Sequence, residues 1–186
     1  LAARLRVRIV GLHSHSGSGI LDPEIWRRTA LDLAAAADLF PEARVLDLGG
    51  GLGVADRPRR RPLNLARLAA ALAEVRAEFP RFELWLEPGR FLVADAGVLL
   101  ASVTQIKGKH ADSATAENVR YIGVDAGMNS LIRPMFYGAH HEIVNLSRWG
   151  EATAGVADVV GPICESGDVL GVRRALPETR EGDVLG

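Results

Sequence analysis

Three short apolar runs, Val7–Leu12, Arg44–Leu48 and Leu84–Leu86, are separated by two stretches of helical periodicity. That order leaves few folds open. Strands joined through helices pair in parallel, because a parallel neighbour needs a long crossover connection. The first helix is predicted to start at Asp22-Pro23-Glu24 and to run to about Phe40, before Pro41. An N-cap, a first-turn proline and an acid at the positive end of the helix dipole coincide there. The second covers about Asn64 to Phe79, with Leu65, Leu68, Leu72, Val75 and Phe79 stepping by three and four along one face. Leu84, Trp85 and Leu86 read as a short strand covered on both faces, as parallel sheets usually are.

After Arg90 the texture changes. Val98–Ile106, Val119–Val124, Glu142–Leu146, Val156–Val160 and Val169–Val172 read as strands that follow one another without long helices, the pattern of an all-β domain. The polar segment Gly108–Asn118 is predicted to be a hairpin loop. A boundary near residues 91 to 97 gives an α/β part over residues 1–92 and a β-domain over residues 93–186. The chain opens inside a strand without a starting methionine and stops at Gly182–Gly186, which reads as another strand beginning. The expectation is a portion of a longer protein, truncated at both ends.

With 22 Lys and Arg against 23 Asp and Glu, the chain gives no support for a nucleic-acid or membrane partner. The basic cluster from Arg57 to Arg61 is short and reads as a solvated loop. One cysteine makes no internal disulfide, so a reducing, cytoplasmic setting is expected. No apolar run is long enough to span a bilayer, and no signal-peptide pattern occurs.

Each of the three early strands delivers polar or glycine-rich chemistry at its end, where ligands bind in α/β barrels and open sheets. His13-Ser14-His15 leads into Gly17-Ser18-Gly19; Gly49-Gly50-Gly51-Leu52-Gly53 follows the second strand; Glu87-Pro88-Gly89-Arg90 follows the third. The glycine turn lets backbone N–H groups approach an anion, or equally serves tight packing. It does not have the six-residue dinucleotide spacing. Glu87 and Arg90 can grip a ligand that is positive at one point and negative at another, such as pyridoxal phosphate. A local ion pair closing the loop fits the same two residues. His13 and His15 fit a metal pair as in barrel hydrolases, or a flat ring stacked on a cofactor with Ser18 and Gly19 donating to its phosphate. His140, His141 and scattered acids supply no obvious further ligand set. In the β part, Gly161–Asp168 packs a thiol and two acids into one loop, and Arg133 with Tyr137 suits a carboxylate. A core cysteine and plain surface packing are the alternatives there.

In order along the chain, GLHSHSGSG, DLGGGLG, EPGR, VDAGMNSLIRPMFYGAHH and CESGD resemble the motifs of the diaminopimelate decarboxylases, in the alanine-racemase-like class of pyridoxal-phosphate enzymes. The resemblance implies the last βα units of a (β/α)8 barrel followed by a β-domain. It implies decarboxylation of meso-2,6-diaminopimelate to L-lysine with pyridoxal 5'-phosphate as cofactor. His15 then matches the residue stacked on the cofactor ring, and Glu87 the carboxylate facing its nitrogen. Ser18, Gly49, Gly50, Gly51, Gly89 and Arg90 match the phosphate cup. Arg90, Arg133, Tyr137 and Glu165 fall on substrate-binding positions. Cys164 falls on the proton donor, in a loop that reaches the neighbouring subunit's active site in a homodimer. His15, Glu87 and Cys164 are the catalytic residues this implies, with no metal.

Arg133 beside Glu165 suits a substrate with a distal carboxylate and amine, whereas relatives acting on ornithine or arginine use acids at that place. The family's Schiff-base lysine sits on an early barrel strand and matches neither Lys107 nor Lys109, and the family's C-terminal tyrosine has no match. This stretch alone is therefore expected to be inactive. A decarboxylase for carboxynorspermidine, ornithine or arginine, and a non-catalytic homologue, are the other readings.

Overall fold

The first strand, β1 (Gly11–His13), is followed by α1 (Glu24–Ala36), β2 (Val45–Asp47), α2 (Leu65–Glu78), β3 (Glu83–Trp85) and a short α3 (Arg90–Val93). The structure is a computed structural model that describes residues 4–57, 59–108 and 120–186. Most of the expected hairpin loop after Gly108, with Lys109, and the strand start at Val119 lie outside the described residues. The chain divides into two compact units, one reaching Gly97 and one running from Val98 onward, which also takes in Asp56. Among the described residues no helix is long and apolar enough to cross a membrane.

In the first unit the three strands pair in parallel in the order β1-β2-β3, with Leu12, Leu46 and Leu84 in one register row and His13, Asp47 and Trp85 in the next. Successive strand side chains point to opposite faces. The leucine row packs into a core made with Trp26, Ala30 and Ala34 of α1 and Leu68 and Val75 of α2. Alanines on α1 let the helix lie close to the sheet. The starts of both helices are satisfied locally: Asp22 Oδ1 accepts from the Glu24 N–H at 3.1 Å, and the Asn64 side chain caps α2 by accepting from the Arg67 N–H at 2.9 Å.

Three expectations are corrected here. The strand predicted from Val7 is confined to Gly11–His13, because pairing with β2 begins only at Gly11, and Val7 and Val10 stay half exposed. Trp85 is 54% exposed, since α1 and α2 pack on the leucine row and nothing among the described residues covers it on the opposite face of β3. Leu65 is also exposed, because it is the first residue of α2 and precedes the turn that reaches the core.

The second unit is a five-stranded sheet of β4 (Ala101–Lys107), β5 (Arg120–Val124), β6 (Gly155–Val160), β7 (Val169–Leu176) and β8 (Val184–Leu185), in the order β7-β6-β5-β4-β8. β5 and β6 are parallel and the other neighbours antiparallel. Val103, Ile122, Val124, Val159, Leu170 and Leu176 form its core. The predicted strand Glu142–Leu146 is not one. Val144 exchanges two backbone hydrogen bonds with Gly186, but Asn145 then turns inward, is 3% exposed, and starts a single 3-10 turn.

Asn145 joins a buried polar cluster. Asp183 accepts from Asn145 Nδ2 at 2.9 Å, from Arg148 Nε at 2.8 Å and from the Arg180 N–H at 2.9 Å. Burial alone would push its carboxyl up, but the hydrogen bonds from Asn145, Arg148 and Arg180 hold it below the usual carboxylate range. A carboxyl whose folded pKa is depressed stabilises the fold fully above its unfolded value and loses that contribution as pH falls toward the folded one. Urea midpoints should therefore drop more steeply below about pH 4 in the wild type than in Asp183→Asn. Parallel curves for the two proteins across that range would remove this account of the cluster.

Candidate active site

The parallel ladder continues past the three strands and sets their ends side by side. The Ser14 N–H donates to the Asp47 carbonyl at 3.0 Å, the Leu48 N–H to Trp85 at 3.0 Å and the Glu87 N–H to Gly49 at 2.9 Å. The loop after β1 is laced to the glycine turn, because the Ile20 N–H donates to Gly51 at 2.9 Å and the Gly53 N–H to Ile20 at 2.8 Å. It is also tied to α1 through Ser16 Oγ and Thr29 Oγ1, 2.7 Å apart. Backbone hydrogen bonds therefore bring His15, Gly49–Gly51 and Glu87 together from segments far apart in the sequence.

The side chains complete the arrangement. His15 Nδ1 accepts from the Gly50 N–H at 3.1 Å, which fixes the ring and its tautomer. His13 Nε2 lies 3.2 Å from Glu87 Oε2. Arg90 Nη2 donates to Ser18 Oγ at 2.9 Å, joining the first and third loops. Glu87 remains 56% exposed at its side chain. A β-carbon at Gly50 would run into the Glu87 carbonyl, and one at Gly49 would lie 2.8 Å from His15 Nδ1. These contacts are what demand glycine at both places. The Gly49 N–H is already given to Asp47 Oδ1 at 3.0 Å, as the Gly50 N–H is to His15. At those two positions the turn provides close approach, and its amides serve the fold.

Asp47 is the residue that sequence reasoning missed here. One nitrogen of His13 and one oxygen each of Asp47 and Glu87 lie within 4.8 Å of one another. The available signal was an aspartate two residues before a glycine at a strand end, which accepts that glycine's N–H.

The second unit carries the remaining candidates. Arg133 opens α4 (Arg133–Tyr137), is half-buried, and has its guanidinium carbon 5.7 Å from the centre of the Tyr137 ring. Its buried Nε has no hydrogen-bond partner among the described residues. Tyr137 is exposed and packs edge-on against Phe136. Cys164 and Glu165 are exposed on the loop between β6 and β7. Glu165 Oε1 accepts from Ser166 Oγ and the Gly167 N–H. A β-carbon at Gly167 would lie 3.0 Å from Met135 Cγ, so this loop rests on α4.

An acid, an anchored imidazole and a serine–arginine pair at the carboxyl ends of parallel strands suit a charged aromatic ligand with an anionic arm. Residues 21–186 match the family model described as the C-terminal sheet domain of pyridoxal-dependent decarboxylases. The chain belongs to the pyridoxal-dependent decarboxylases. It is 37% identical over 196 residues to the diaminopimelate decarboxylase of Methanothermobacter thermautotrophicus, covering 100% of this chain and 44% of that one. Against the Bacillus subtilis diaminopimelate decarboxylase it is 36% identical, covering 96% and 42%. The crystal structure of diaminopimelate decarboxylase from M. jannaschii with L-lysine superposes with a TM-score of 0.80 at 32% identity, covering 96% of this chain and 41% of that one. The chain thus spans less than half the length of these decarboxylases.

Proposed function

We propose that the chain is the C-terminal portion of a pyridoxal-phosphate-dependent diaminopimelate decarboxylase that makes L-lysine. The observation that carries this reading is the convergence of His15, the glycine turn, Glu87 and the Ser18–Arg90 pair at one strand edge. The three parallel strands are the last βα units of a (β/α)8 barrel occupying residues 1–92, with the β-domain over residues 93–186. The uncovered row of His13, Asp47 and Trp85 fits this, because it is the row that would face a barrel interior. The working enzyme is a cytoplasmic homodimer in which the Cys164–Glu165 loop serves the partner's site.

The residues present fit pyridoxal 5'-phosphate: an exposed acid for the ring nitrogen, an imidazole for the ring face, and donors with glycine-lined space for the phosphate. When bound, that cofactor supplies the electron sink for the carbon that loses its carboxylate as CO2. Glu87 holds a proton on the ring nitrogen through its negative charge. His15, locked by the Gly50 N–H, stacks on the ring. Ser18, Gly49–Gly51, Gly89 and Arg90 line the phosphate. Arg133 and Tyr137 bind the distal end of the substrate, Arg90 is a further substrate-binding residue, and Glu165 plays that part in the partner's site. Cys164 Sγ delivers a proton to the carbon after CO2 has left.

The guanidinium of Arg133, a planar cation suited to a bidentate grip, favours a substrate with a distal carboxylate over one with an amine alone. In the full-length enzyme Arg133→Ala should lower kcat/KM on meso-diaminopimelate by about 1.5–3 kcal/mol of transition-state binding, the range for hydrogen bonds to charged groups. Measured beside it, kcat/KM on ornithine, arginine and carboxynorspermidine decides the substrate. An unchanged value for the variant, or a wild-type preference for ornithine or arginine, overturns this assignment.

A further inference from the structure

Asp168 closes the loop that carries Cys164. It is 3% exposed. Oδ1 accepts from the Met128 N–H at 2.6 Å, and Oδ2 accepts from the Ile163 N–H at 2.8 Å. Its main chain closes the same loop, with the Gly161 N–H donating to its carbonyl at 2.9 Å and its own N–H to Glu165 at 3.0 Å. A buried carboxylate with both oxygens on backbone donors makes strong, short hydrogen bonds that a neutral isostere does not reproduce.

The two donors lie on different segments. Ile163 immediately precedes Cys164. Met128 belongs to the turn after β5, where the Gly127 carbonyl accepts from Ser130 at 2.9 Å and Leu131 at 3.0 Å on the way to α4. Space for the carboxyl is made by glycines on both sides. A β-carbon at Gly127 would lie 2.7 Å from Asp168 Oδ2, and one at Gly161 would collide with the same oxygen. One side chain therefore sets the thiol loop in register with the turn that launches Arg133 and Tyr137.

We propose that Asp168 is a positioning residue that holds Cys164 and Glu165 in the placement they need for the partner's site, by clamping their loop onto the turn after β5. The inference rests on the proposed role of Cys164 as proton donor. Misplacing a reacting group by about an ångström costs up to about 100-fold in rate. The test uses the full-length enzyme with Asp168→Asn, which turns one acceptor into a donor facing an N–H, and Gly127→Ala, which displaces the carboxyl but keeps its charge. Both should lower kcat about 10- to 100-fold with a smaller change in KM. Both should also speed amide hydrogen exchange over residues 161–168 about 10-fold, a readout independent of cofactor and turnover. Asp183→Asn, which removes a buried carboxyl elsewhere in the sheet unit, should lower the melting temperature but leave kcat and that exchange unchanged. Unaltered exchange over residues 161–168 in both variants, or a loosened loop with full kcat, overturns the clamp even when Cys164→Ala is inactive. A fully active Cys164→Ala overturns the proposed role of Cys164, and with it what the clamp serves, whatever the exchange shows.

Discussion

Replacing Glu87 with glutamine in the full-length enzyme should lower kcat about 100- to 1,000-fold, while cofactor affinity changes only a few-fold. Glutamine keeps the length and planar shape of the side chain, so its oxygen can still meet His13 Nε2 at the present 3.2 Å. What it loses is the charge. A negative group within about 4–6 Å raises the pKa of a basic nitrogen by about 1–3 units. Under the role proposed for Glu87, loss of that charge would leave a ring nitrogen unprotonated for most of the time at neutral pH, and the electron sink would be weaker. The groups proposed around the phosphate, Ser18, Arg90 and the glycine turn, are untouched by the change, so binding should persist. Titrating the purified variant with pyridoxal phosphate, then measuring turnover at saturation, separates the two effects. A kcat within twofold of wild type at full occupancy would show that Glu87 does not face that nitrogen.

The features legible in the sequence were those that depend on local chain chemistry. Pro23 and Asn64 mark real helix starts, and the 3–4 spacing of Leu68, Leu72, Val75 and Phe79 finds the buried face of α2. The parallel order follows from strands separated by helices. What the sequence hid depends on partners. Val7–Val10 is as apolar as a strand, but only residues from Gly11 onward meet β2. Trp85 reads as core, and its exposure reflects which face of a three-stranded sheet the helices reach. Asn145 sits inside an apolar run, and long-range contacts with Thr179 and Asp183, far along the chain, turn it inward. In the candidate site, His15, the glycine turn and Glu87 were visible as strand ends. The divisions of labour were not. No periodicity shows that His13 reaches Glu87 while His15 takes the Gly50 N–H, or that Asp47 and Asp168 spend their carboxyls on backbone amides.

Gly50→Ala should destabilise the full-length enzyme by about 3 kcal/mol, the upper end of the range for overpacking, and should weaken cofactor binding as well. The cause is space. Gly50 does not have the positive φ of its neighbours Gly49 and Gly51, so an alanine meets no backbone strain of its own. Its β-carbon would instead drive into the Glu87 carbonyl, a backbone atom that cannot swing aside as a flexible side chain would. Retreat at Glu87 strains the 2.9 Å hydrogen bond from its N–H to Gly49. Retreat at Gly50 pulls its carbonyl from the buried Trp26 indole, now 3.2 Å away, and its N–H from His15. Either response moves the acid or the imidazole assigned to the cofactor, so stability and binding fall together. Gly89→Ala is the matched control for stability in the same loop cluster, because a β-carbon there meets nothing within 4 Å. Urea unfolding of the apo proteins measures the first effect and cofactor titration the second. Equal midpoints for Gly50→Ala and Gly89→Ala would mean that the glycine turn and the Glu87 backbone are not in contact, and the proposed convergence would lose its centre.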